Sequence, residues 1–399
     1  MNSQLGERVA AVLALACILV APYIHPAWAF ALLVIVLALV LLLVEKTTFF
    51  SVSIIALAIF YGIGLIPLFI FSCTLAFVVI GELAFRSAGE NVHAYFAYIV
   101  VAAVSAILIT LYLHETAPLP VLFGVIAAVL LKAILGDRDD ALMVETLGIS
   151  MTMLLINDLD YQVSIPHLSL AIVIAFVFGY FAYRFKTADL SGLFSAALIG
   201  VILLVFTDVY WFLVMLTFFI VGSVCTRYQF EYKEKLGVEQ THGGARGYRN
   251  VFANGGVSAA AAMLFGVTMG NPLFAAMYVG SVASAAADTV ASEIGVTGGS
   301  PYMITTFKRV PPGTNGGITL IGELAALAAS LIISVTALAL GVIDLPTAMI
   351  CTVAGLVGTN VDSLVGAVIE NRGYIGNAGT NVLGTLGGGV FALIFSALL

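Results

Sequence analysis

Charge is scarce in this sequence of 399 residues. Asp, Glu, Lys and Arg together make up 9% of it, whereas a soluble domain of this size contains roughly a quarter charged residues. So little charge excludes an ordinary soluble enzyme, a disordered chain and a protein that binds nucleic acid. Hydrophobic residues make up 62%, which is the composition of a protein that crosses a membrane many times.

Closely spaced cysteines and alternating segments are also missing. The four cysteines are too far apart to suggest a metal-binding or redox pair, so we interpret Cys17, Cys73, Cys225 and Cys351 as apolar packing residues. A membrane barrel would contain short segments of alternating polar and apolar residues, whereas this sequence contains continuous apolar runs. A lipid-exposed segment must satisfy its backbone hydrogen bonds internally, so these runs predict helices.

The apolar runs predict an all-α, polytopic transmembrane bundle of about fifteen spans, with thirteen to fifteen as the range. Several runs are shorter than the roughly 20 residues that cross a bilayer, so neighbouring runs could be miscounted. The candidate spans are 9–24, 27–44, 47–64, 66–83, 94–113, 117–135, 141–157, 166–183, 189–206, 209–224, 250–268, 271–291, 317–341, 345–368 and 378–398.

The basic residues predict the orientation of these spans. If the N-terminus lies inside and the loops alternate, all fifteen Lys and Arg residues fall at inner ends. The positive-inside rule therefore predicts a cytoplasmic N-terminus and a C-terminus outside. The sequence has no clear signal-peptide cleavage pattern and no Arg/Ser-rich transit segment, which favours the plasma membrane of a prokaryote.

The two halves of the chain differ in composition, which predicts two domains. Residues 1–165 form a bundle of ordinary Leu, Val, Ile and Phe spans whose role is unknown. Residues 166–399 are dense in Gly, Ala, Asn, Thr and Asp, and polar groups inside a membrane are usually functional. This half also contains two long cytoplasmic loops, 225–249 and 292–316, and long loops are usually functional or disordered. We therefore expect the chemistry in the second half.

Two acidic residues lie inside membrane-length runs of the second half. Asp288 ends an alanine-rich span in the sequence ADTVASEIG, which also contains Glu293. Asp362 belongs to GTNVDSLVGA, where small and polar residues recur at helical spacing. An intramembrane acid is a functional candidate by default, and carboxylates bind Mg²⁺ or another hard cation. The alternatives are a solvated helix end for the first motif and a hydrogen-bonded packing residue for the second.

A glycine-rich segment with two basic residues leads into the span 317–341. It reads KRVPPGTNGGIT and contains Lys308, Arg309, Gly313, Thr314, Asn315, Gly316 and Gly317. Glycines let backbone N–H groups point at an anion, and the N-terminus of the following helix favours negative charge. The segment therefore predicts a phosphate-binding site, although the P-loop spacing is absent. A basic inner loop with a turn is the alternative.

Arginine and asparagine residues cluster at the start of the span 250–268. The sequence HGGARGYRN contains Arg246, Arg249 and Asn250, and Asn254 follows one turn later. Arginine suits bidentate phosphate binding, whereas orienting charge plus a helix cap is the alternative. A similar helix start, GNAGTN, contains Asn381, and the triplet Gly-Thr-Asn occurs three times. This repetition indicates a weak internal repeat that would form one site at the inner interface, unless it reflects chance in a Gly-rich sequence.

Four motifs in this order, ADTVASEIG, PPGTNGGIT, VDSLVGA and GNAGTNVLGT, resemble the membrane-embedded phytyl-phosphate kinase family, which includes the transmembrane protein 19 group. The resemblance covers about residues 160–399. It implies phosphoryl transfer from a nucleoside triphosphate, typically CTP, to an isoprenyl or polyprenyl monophosphate at the inner membrane face, with Mg²⁺ as the expected cofactor. The expected partners are the lipid phosphate, the nucleotide and the membrane, while the oligomeric state stays open.

The motifs and the resemblance together assign roles to individual residues. Asp288 and Asp362 are expected to be catalytic, metal-linked acids, with Glu293 as a further metal ligand. Lys308 is expected to act in catalysis by contacting phosphates. The residues expected to bind nucleotide or phosphate groups are Arg246, Arg249, Asn250, Asn254, Arg309, Gly313, Thr314, Asn315, Gly316, Gly317 and Asn381. An acceptor phosphate is already anionic near neutral pH, so no general base is required.

Two other classes of function stay open at the level of the sequence. A related membrane enzyme, an isoprenoid-alcohol kinase or a cytidylyltransferase, would use similar phosphate-binding motifs, and an alcohol kinase would need a base near the hydroxyl. A transporter of lipids or solutes would explain the many spans and the polar helix breaks. Against transport, the polar groups cluster at the inner ends of the spans.

Overall fold

The protein is a bundle of membrane-length helices, which a computed structural model describes over residues 3–43, 47–89, 92–136, 138–236 and 246–399. Within these ranges, 12 helices are long and apolar enough to cross a membrane, and three shorter apolar helices accompany them: Ala27–Leu41, Thr48–Gly62 and Leu190–Phe206. Each of these helices overlaps one predicted span, so the all-α polytopic prediction is confirmed. The cytoplasmic placement of the N-terminus stays a prediction.

The chain divides into two compact units, Met1–Ile165 and Pro166–Leu399. The helices up to the boundary are α1 (Ser3–Val20), α2 (Ala27–Leu41), α3 (Thr48–Gly62), α4 (Leu68–Leu75), α5 (Glu82–Ala88), α6 (Val92–Leu113), α7 (Pro118–Leu135) and α8 (Ala141–Asp158). Those from the boundary onward are α9 (Ile165–Arg184), α10 (Leu190–Phe206), α11 (Val209–Arg227), α12 (Phe230–Leu236), α13 (Tyr248–Val267), α14 (Pro272–Gly295), α15 (Leu320–Ala339), α16 (Leu345–Val368) and α17 (Asn377–Ser396).

A network of buried charges lies inside the first unit. Lys132 of α7 is fully buried, and its Nζ lies 2.6 Å from Oε2 of Glu82 and 3.0 Å from Oε1 of Glu145. Arg86 adds a second cation, with its Nε 2.6 Å from Oε1 of Glu82. A π-helical stretch, Ala76–Gly81, leads directly into this network. Charged groups inside a membrane are costly unless they are paired, so the network connects α5, α7 and α8 through mutual neutralisation.

Helix α14 forms the core of the second unit, where it packs against α11, α13, α15, α16 and α17. Its alanines, serines and glycines allow the close approach, because small residues let helix backbones pack tightly in a membrane. A Cβ on Gly280 would lie 2.4 Å from Cβ of Ala392 in α17. The Ser284 hydroxyl donates a hydrogen bond of 2.9 Å to the Gly384 carbonyl. Helices α14 and α17 therefore pack in close contact at these residues.

A short β-hairpin connects α14 to α15. Its strands, β1 (Tyr302–Met303) and β2 (Gly317–Ile318), pair in an antiparallel register that sets Met303 opposite Gly317. Backbone hydrogen bonds brace the intervening residues, including Ile304 N–H to the Gly316 carbonyl at 2.9 Å and Val310 N–H to the Pro301 carbonyl at 2.9 Å. The segment is thus an ordered element that returns the chain toward the end of α14.

The boundaries of both predicted loops differ from those in the structure. Helix α14 continues to Gly295, past the predicted end at residue 291, because its last turn packs against α15 and remains partly buried. At the start of the predicted loop 225–249, α11 continues to Arg227 and α12 forms a short helix. Residues 237–245 of that loop lie outside the described residues.

Candidate functional site

A polar cavity of about 350 Å³ lies where the C-terminal ends of α14 and α16 meet the N-terminal ends of α13, α15 and α17. The small residues of α14, α16 and α17 bring these ends together, so side chains far apart in the sequence share one space. The predicted site residues that line the cavity are Arg246, Asn250, Asn254, Asp288, Glu293, Gly313, Thr314, Asn315, Gly316, Gly317, Asp362 and Asn381.

Two carboxyl groups meet in this cavity. Asp288 of α14 and Asp362 of α16 lie within hydrogen-bonding reach of each other. The Thr359 hydroxyl donates a hydrogen bond of 3.4 Å to Oδ1 of Asp288, whereas Oδ2 of Asp362 is buried and receives no hydrogen bond from the described residues. Ionised carboxylates only accept hydrogen bonds, so two of them this close require a proton or a cation between them. The pair is therefore a candidate cation site.

Two buried amide oxygens in the lining of the same cavity also lack donors. Oδ1 of Asn254 and Oδ1 of Asn381 have no hydrogen-bond partner among the described residues. The Nδ2 group of Asn254 is occupied, because it donates to the Asn250 carbonyl at 2.9 Å. Buried acceptors that lack donors are costly, and carboxylate and amide oxygens are the ligands that hard cations prefer. The donor set therefore fits Mg²⁺.

The protein supplies only part of a metal coordination sphere at this point. Among the described residues, no group of three or more His, Cys, Asp or Glu side chains is arranged to hold a metal ion. Mg²⁺ usually keeps several waters and is held by one or two carboxylates together with the phosphates of a substrate. Two aspartates in a cavity of about 350 Å³ match that arrangement better than they match a closed structural metal site.

Arg246 brings a cation to the opposite wall of the cavity. Its side chain is 8% exposed, and its guanidinium carbon lies 5.5 Å from the ring centroid of Phe218 and 5.7 Å from that of Phe219. A Cβ on Gly222 would lie 2.8 Å from Nη2, so the guanidinium packs where only glycine leaves room. The Arg246 N–H donates to the Thr187 carbonyl at 2.9 Å, which fixes the backbone.

No described residue accepts a hydrogen bond from the Arg246 guanidinium. Burial lowers the pKa of this group, but an arginine starts so far above neutral pH that it keeps its charge. The Glu293 carboxylate lies close enough to favour the charge but accepts no hydrogen bond from the guanidinium, and an arginine fork matches the oxygens of a phosphate. Arg246 is therefore the strongest single indication of an anionic ligand.

Lys233 enters the site although the sequence patterns did not single it out. Its Nζ donates to Oε2 of Glu293 at 2.5 Å and to the Thr226 carbonyl at 2.8 Å, and its side chain is 2% exposed. Because α14 continues to Gly295, Glu293 lies on its last turn and pairs with this lysine. The metal-binding role predicted for Glu293 stays a prediction, whereas its ion pair anchors α12 against the end of α14.

The glycine-rich segment lines the cavity with its backbone. Gly316 has a φ of +82°, and a Cβ there would lie 2.5 Å from Cβ of Ala367, so both conformation and packing require glycine. The backbone N–H groups of Gly313, Asn315 and Gly316 donate to no described residue. Unpaired N–H groups at a concave loop can bind anionic oxygens. The phosphate cradle predicted from this segment is thus sterically available.

Three predicted cations do not line the cavity. Lys308 and Arg309 are exposed on the β1–β2 hairpin, where Nε of Arg309 donates to the Tyr302 hydroxyl at 3.3 Å. Arg249 is exposed on the first turn of α13, and its Nε donates to the Tyr248 hydroxyl at 3.1 Å. The catalytic role of Lys308 and the phosphate-binding roles of Arg309 and Arg249 stay predictions.

Several lining residues were not predicted as site residues. They include Lys233, Glu323, Thr359, Glu370 and Asn377. Glu370 accepts a hydrogen bond of 3.0 Å from the Thr380 hydroxyl, which connects the end of α16 to α17. Its position, eight residues after Asp362 with Gly366 midway, follows the same helical face and could have identified it. No sequence signal distinguished Lys233 from the other basic residues of its loop.

A family model described as Integral membrane protein DUF92 matches residues 173–389 of the chain. The chain belongs to this family. The matched range contains every residue that lines the polar cavity, so the cavity lies in the part of the chain that the DUF92 family shares.

Three relatives are about 30% identical to the chain over half of its length or more. An uncharacterized membrane protein of Methanocaldococcus jannaschii is 30% identical over 239 residues, which is 59% of this chain and 98% of that protein. Protein VTE6, chloroplastic, of Arabidopsis thaliana is 31% identical over 212 residues, which is 51% of this chain and 64% of that protein. Protein PGR of the same plant is 31% identical over 229 residues, which is 51% of this chain and 79% of that protein.

These matches confirm the family that the sequence motifs predicted. No solved structure matches the chain.

Proposed function

We propose that the chain is a phosphotransferase that converts an isoprenyl monophosphate to the diphosphate at the polar cavity of its second unit. One observation carries the proposal: a buried arginine whose guanidinium donates to no described residue lines a cavity that also contains two adjoining carboxyl groups and a glycine-rich backbone segment. The arginine and the backbone N–H groups suit phosphates, and the carboxylates suit the cation that phosphates require. The motif resemblance to phytyl-phosphate kinases and the membership of the DUF92 family support the same conclusion.

The reaction needs positioning more than it needs acid–base chemistry. An oxygen of the acceptor monophosphate bonds to the γ-phosphorus of the nucleotide, and the bond between that phosphorus and the β–γ bridging oxygen breaks. The products are an isoprenyl diphosphate and a nucleoside diphosphate. The acceptor oxygen is already anionic near neutral pH, so no proton has to be removed. Catalysis then consists of holding two anionic groups in line and neutralising their charge.

The chain's residues divide this task. Arg246, with Asn250 beside it, binds the acceptor phosphate, and the backbone of residues 313–317 binds the nucleotide phosphates. Asp288 and Asp362 would hold Mg²⁺, which when bound supplies positive charge to the transferring phosphoryl group. CTP is the proposed nucleotide on the strength of the motif resemblance. The cytoplasmic face is proposed because the basic residues cluster on the side of the cavity, where nucleotides are available.

An isoprenoid-alcohol kinase is the second candidate. The observation that favours it is the contact between Asp288 and Asp362, because one carboxylate of such a pair could accept the proton of a hydroxyl acceptor. The acceptor used therefore separates the two enzymes.

The test compares both acceptors with purified protein in detergent, Mg²⁺ and labelled CTP. We expect a lipid diphosphate from geranylgeranyl monophosphate and no product from geranylgeraniol. Asp288→Asn and Asp362→Asn should each lower the rate roughly a hundredfold or more, because each removes a carboxylate that would hold Mg²⁺ beside the transferring phosphoryl group. Asp344→Asn is the matched control, since Asp344 is an exposed cap at the opposite end of α16 and asparagine caps helices equally well. Product from the alcohol alone would select the alcohol kinase.

A further inference from the structure

A second, apolar cavity adjoins the polar one inside the second unit. It has a volume of about 60 Å³ and lies between α9, α10, α11 and α13. The two cavities share three lining residues, Arg246, Asn250 and Asn254. These three side chains therefore border a polar cavity on one side and an apolar cavity on the other.

The walls of the apolar cavity are hydrophobic and well packed. Phe178 stands edge-on to Phe212 and Phe219, with ring centroids 5.6 Å and 5.1 Å apart. Ala196 and Leu216 complete the wall from α10 and α11. Aromatic pairs in this geometry hold each other in place, so the cavity has fixed sides. It suits a hydrocarbon and nothing that carries its own polar groups.

The only charged residue in the described lining of this cavity is Arg246, which lies at its junction with the polar cavity. The faces of Phe218 and Phe219 hold the guanidinium from the apolar side, and no described residue accepts its hydrogen bonds. The ligand that fits both features has an anionic head and an apolar body attached directly to it. A lipid phosphate has both features, whereas a nucleotide or a free phosphate has the anionic group without the apolar body.

We infer that the apolar cavity, defined here as the tail groove, holds the phosphate-proximal part of a single isoprenyl chain whose monophosphate binds Arg246. This inference rests on the proposed function, because it takes the isoprenyl monophosphate as the acceptor. The cavity is narrow, with a volume of about 60 Å³ against about 350 Å³ for the polar cavity, so we assign one hydrocarbon chain to it. The rest of the chain lies among the membrane lipids.

The tail groove also assigns the two substrates to different sides of the polar cavity. The acceptor enters the cavity past Arg246 from the side of α9 to α11, and the glycine-rich segment of residues 313–317 on the other side is left for the nucleotide. The reacting phosphates then meet between them, beside Asp288 and Asp362. Filling the tail groove should therefore affect the lipid and spare the nucleotide.

The test measures binding of labelled geranylgeranyl monophosphate to the full chain in detergent without nucleotide, and the KM of CTP in the complete reaction. Ala196→Phe fills the groove, and Leu216→Trp fills it from another helix in case the first variant does not fold. We expect each to weaken lipid binding roughly tenfold or more, since the chain loses its apolar contacts, and to leave the KM of CTP unchanged. Ala328→Phe is the matched control, because Ala328 is exposed on α15 outside the groove.

Two results would overturn the tail groove. One is unchanged lipid binding in a groove variant that keeps the wild-type melting temperature. The other is displacement of the labelled lipid by two-chain phosphatidic acid as effectively as by unlabelled geranylgeranyl monophosphate. If the groove variants weaken lipid binding but the wild type forms no diphosphate, the proposed kinase activity is overturned and the tail groove remains supported. If both groove variants keep the wild-type rate and the wild-type KM of the lipid, the tail groove is overturned and the proposed kinase activity remains supported.

Discussion

The residue that most constrains the chemistry is Arg246, because no described residue accepts a hydrogen bond from its buried guanidinium, which leaves the planar fork available to an anionic ligand. The alternative of an orienting charge, which the sequence left open, does not account for its burial between two phenylalanine rings. A charge that only orients a membrane protein can remain exposed to water, as Arg184 does at the end of α9. Burial is thus the property that separates these two arginines.

Replacing Arg246 tests this role. We expect Arg246→Gln to raise the KM of the isoprenyl monophosphate by roughly 10- to 100-fold, because hydrogen bonds to a charged group are worth about 1.5–3 kcal/mol. Arg246→Lys should recover only part of the loss, since an ammonium lacks the planar fork. Arg184→Gln should leave steady-state kinetics at the wild-type values. Equal KM values for wild type and Arg246→Gln would exclude Arg246 from the phosphate site.

Gly316 is the second residue whose replacement is informative. Its positive φ and the 2.5 Å approach to Cβ of Ala367 are both incompatible with a side chain, so Gly316→Ala should displace the segment from α16 and lower the rate steeply. Gly299 separates the two causes, because its φ is +92° but a Cβ there would meet nothing within 4 Å. Gly299→Ala should cost about 1–2 kcal/mol of stability at most and little activity. A similar loss of activity in both variants would show that backbone strain at positive φ, and not the contact with Ala367, is responsible.

At the scale of helices, the charge network of the first unit is a stabilising element that apolar patterning does not reveal. Lys132 and Glu82 are fully buried and paired at 2.6 Å. Removing one partner leaves a buried charge without compensation, which costs roughly 3–5 kcal/mol. Lys132→Met should therefore lower the melting temperature in detergent sharply.

A matched control and a rescue make this prediction specific. Arg138→Met removes a cation from an exposed pair with Asp140, and exposed pairs contribute little, so the melting temperature should hardly change. Combining Lys132→Met with Glu145→Gln should restore part of the loss, because fewer unpaired charges remain. A Lys132→Met protein that melts like the wild type would show that the network does not stabilise the unit.

The elements were predictable from the sequence to different degrees. Continuous apolar runs identified every membrane-length helix, because in lipid the helix is the simplest way to satisfy the backbone. The contact between Asp288 and Asp362 was not predictable from spacing, since it depends on how closely the small residues of α14, α16 and α17 let these helices pack. That Lys308 and Arg309 lie outside the lining of the cavity was also not predictable, because nothing in their sequence specifies which way the β1–β2 hairpin faces.

At the scale of the whole molecule, the distribution of charge predicts the orientation. All fifteen basic residues fall at the inner ends of the helices when the N-terminus is placed inside. Alkaline phosphatase fused after Leu399 should therefore be active in a bacterial host, because the enzyme folds only outside the cytoplasm. A green fluorescent protein at the same position should stay dark. The opposite pair of results would reverse the orientation and move the polar cavity to the outer face.

The account depends most on phosphoryl transfer to a lipid that already carries a phosphate. The most direct test incubates wild-type protein with geranylgeranyl monophosphate and CTP labelled at the γ-phosphate, with EDTA and then with Mg²⁺ in excess over the EDTA. We predict that labelled geranylgeranyl diphosphate is absent under EDTA and forms when Mg²⁺ is restored. Without the cation, the two carboxylates and the reacting phosphates are all negative and repel one another. Lack of labelled diphosphate with Mg²⁺ and every common nucleoside triphosphate would contradict the proposed function.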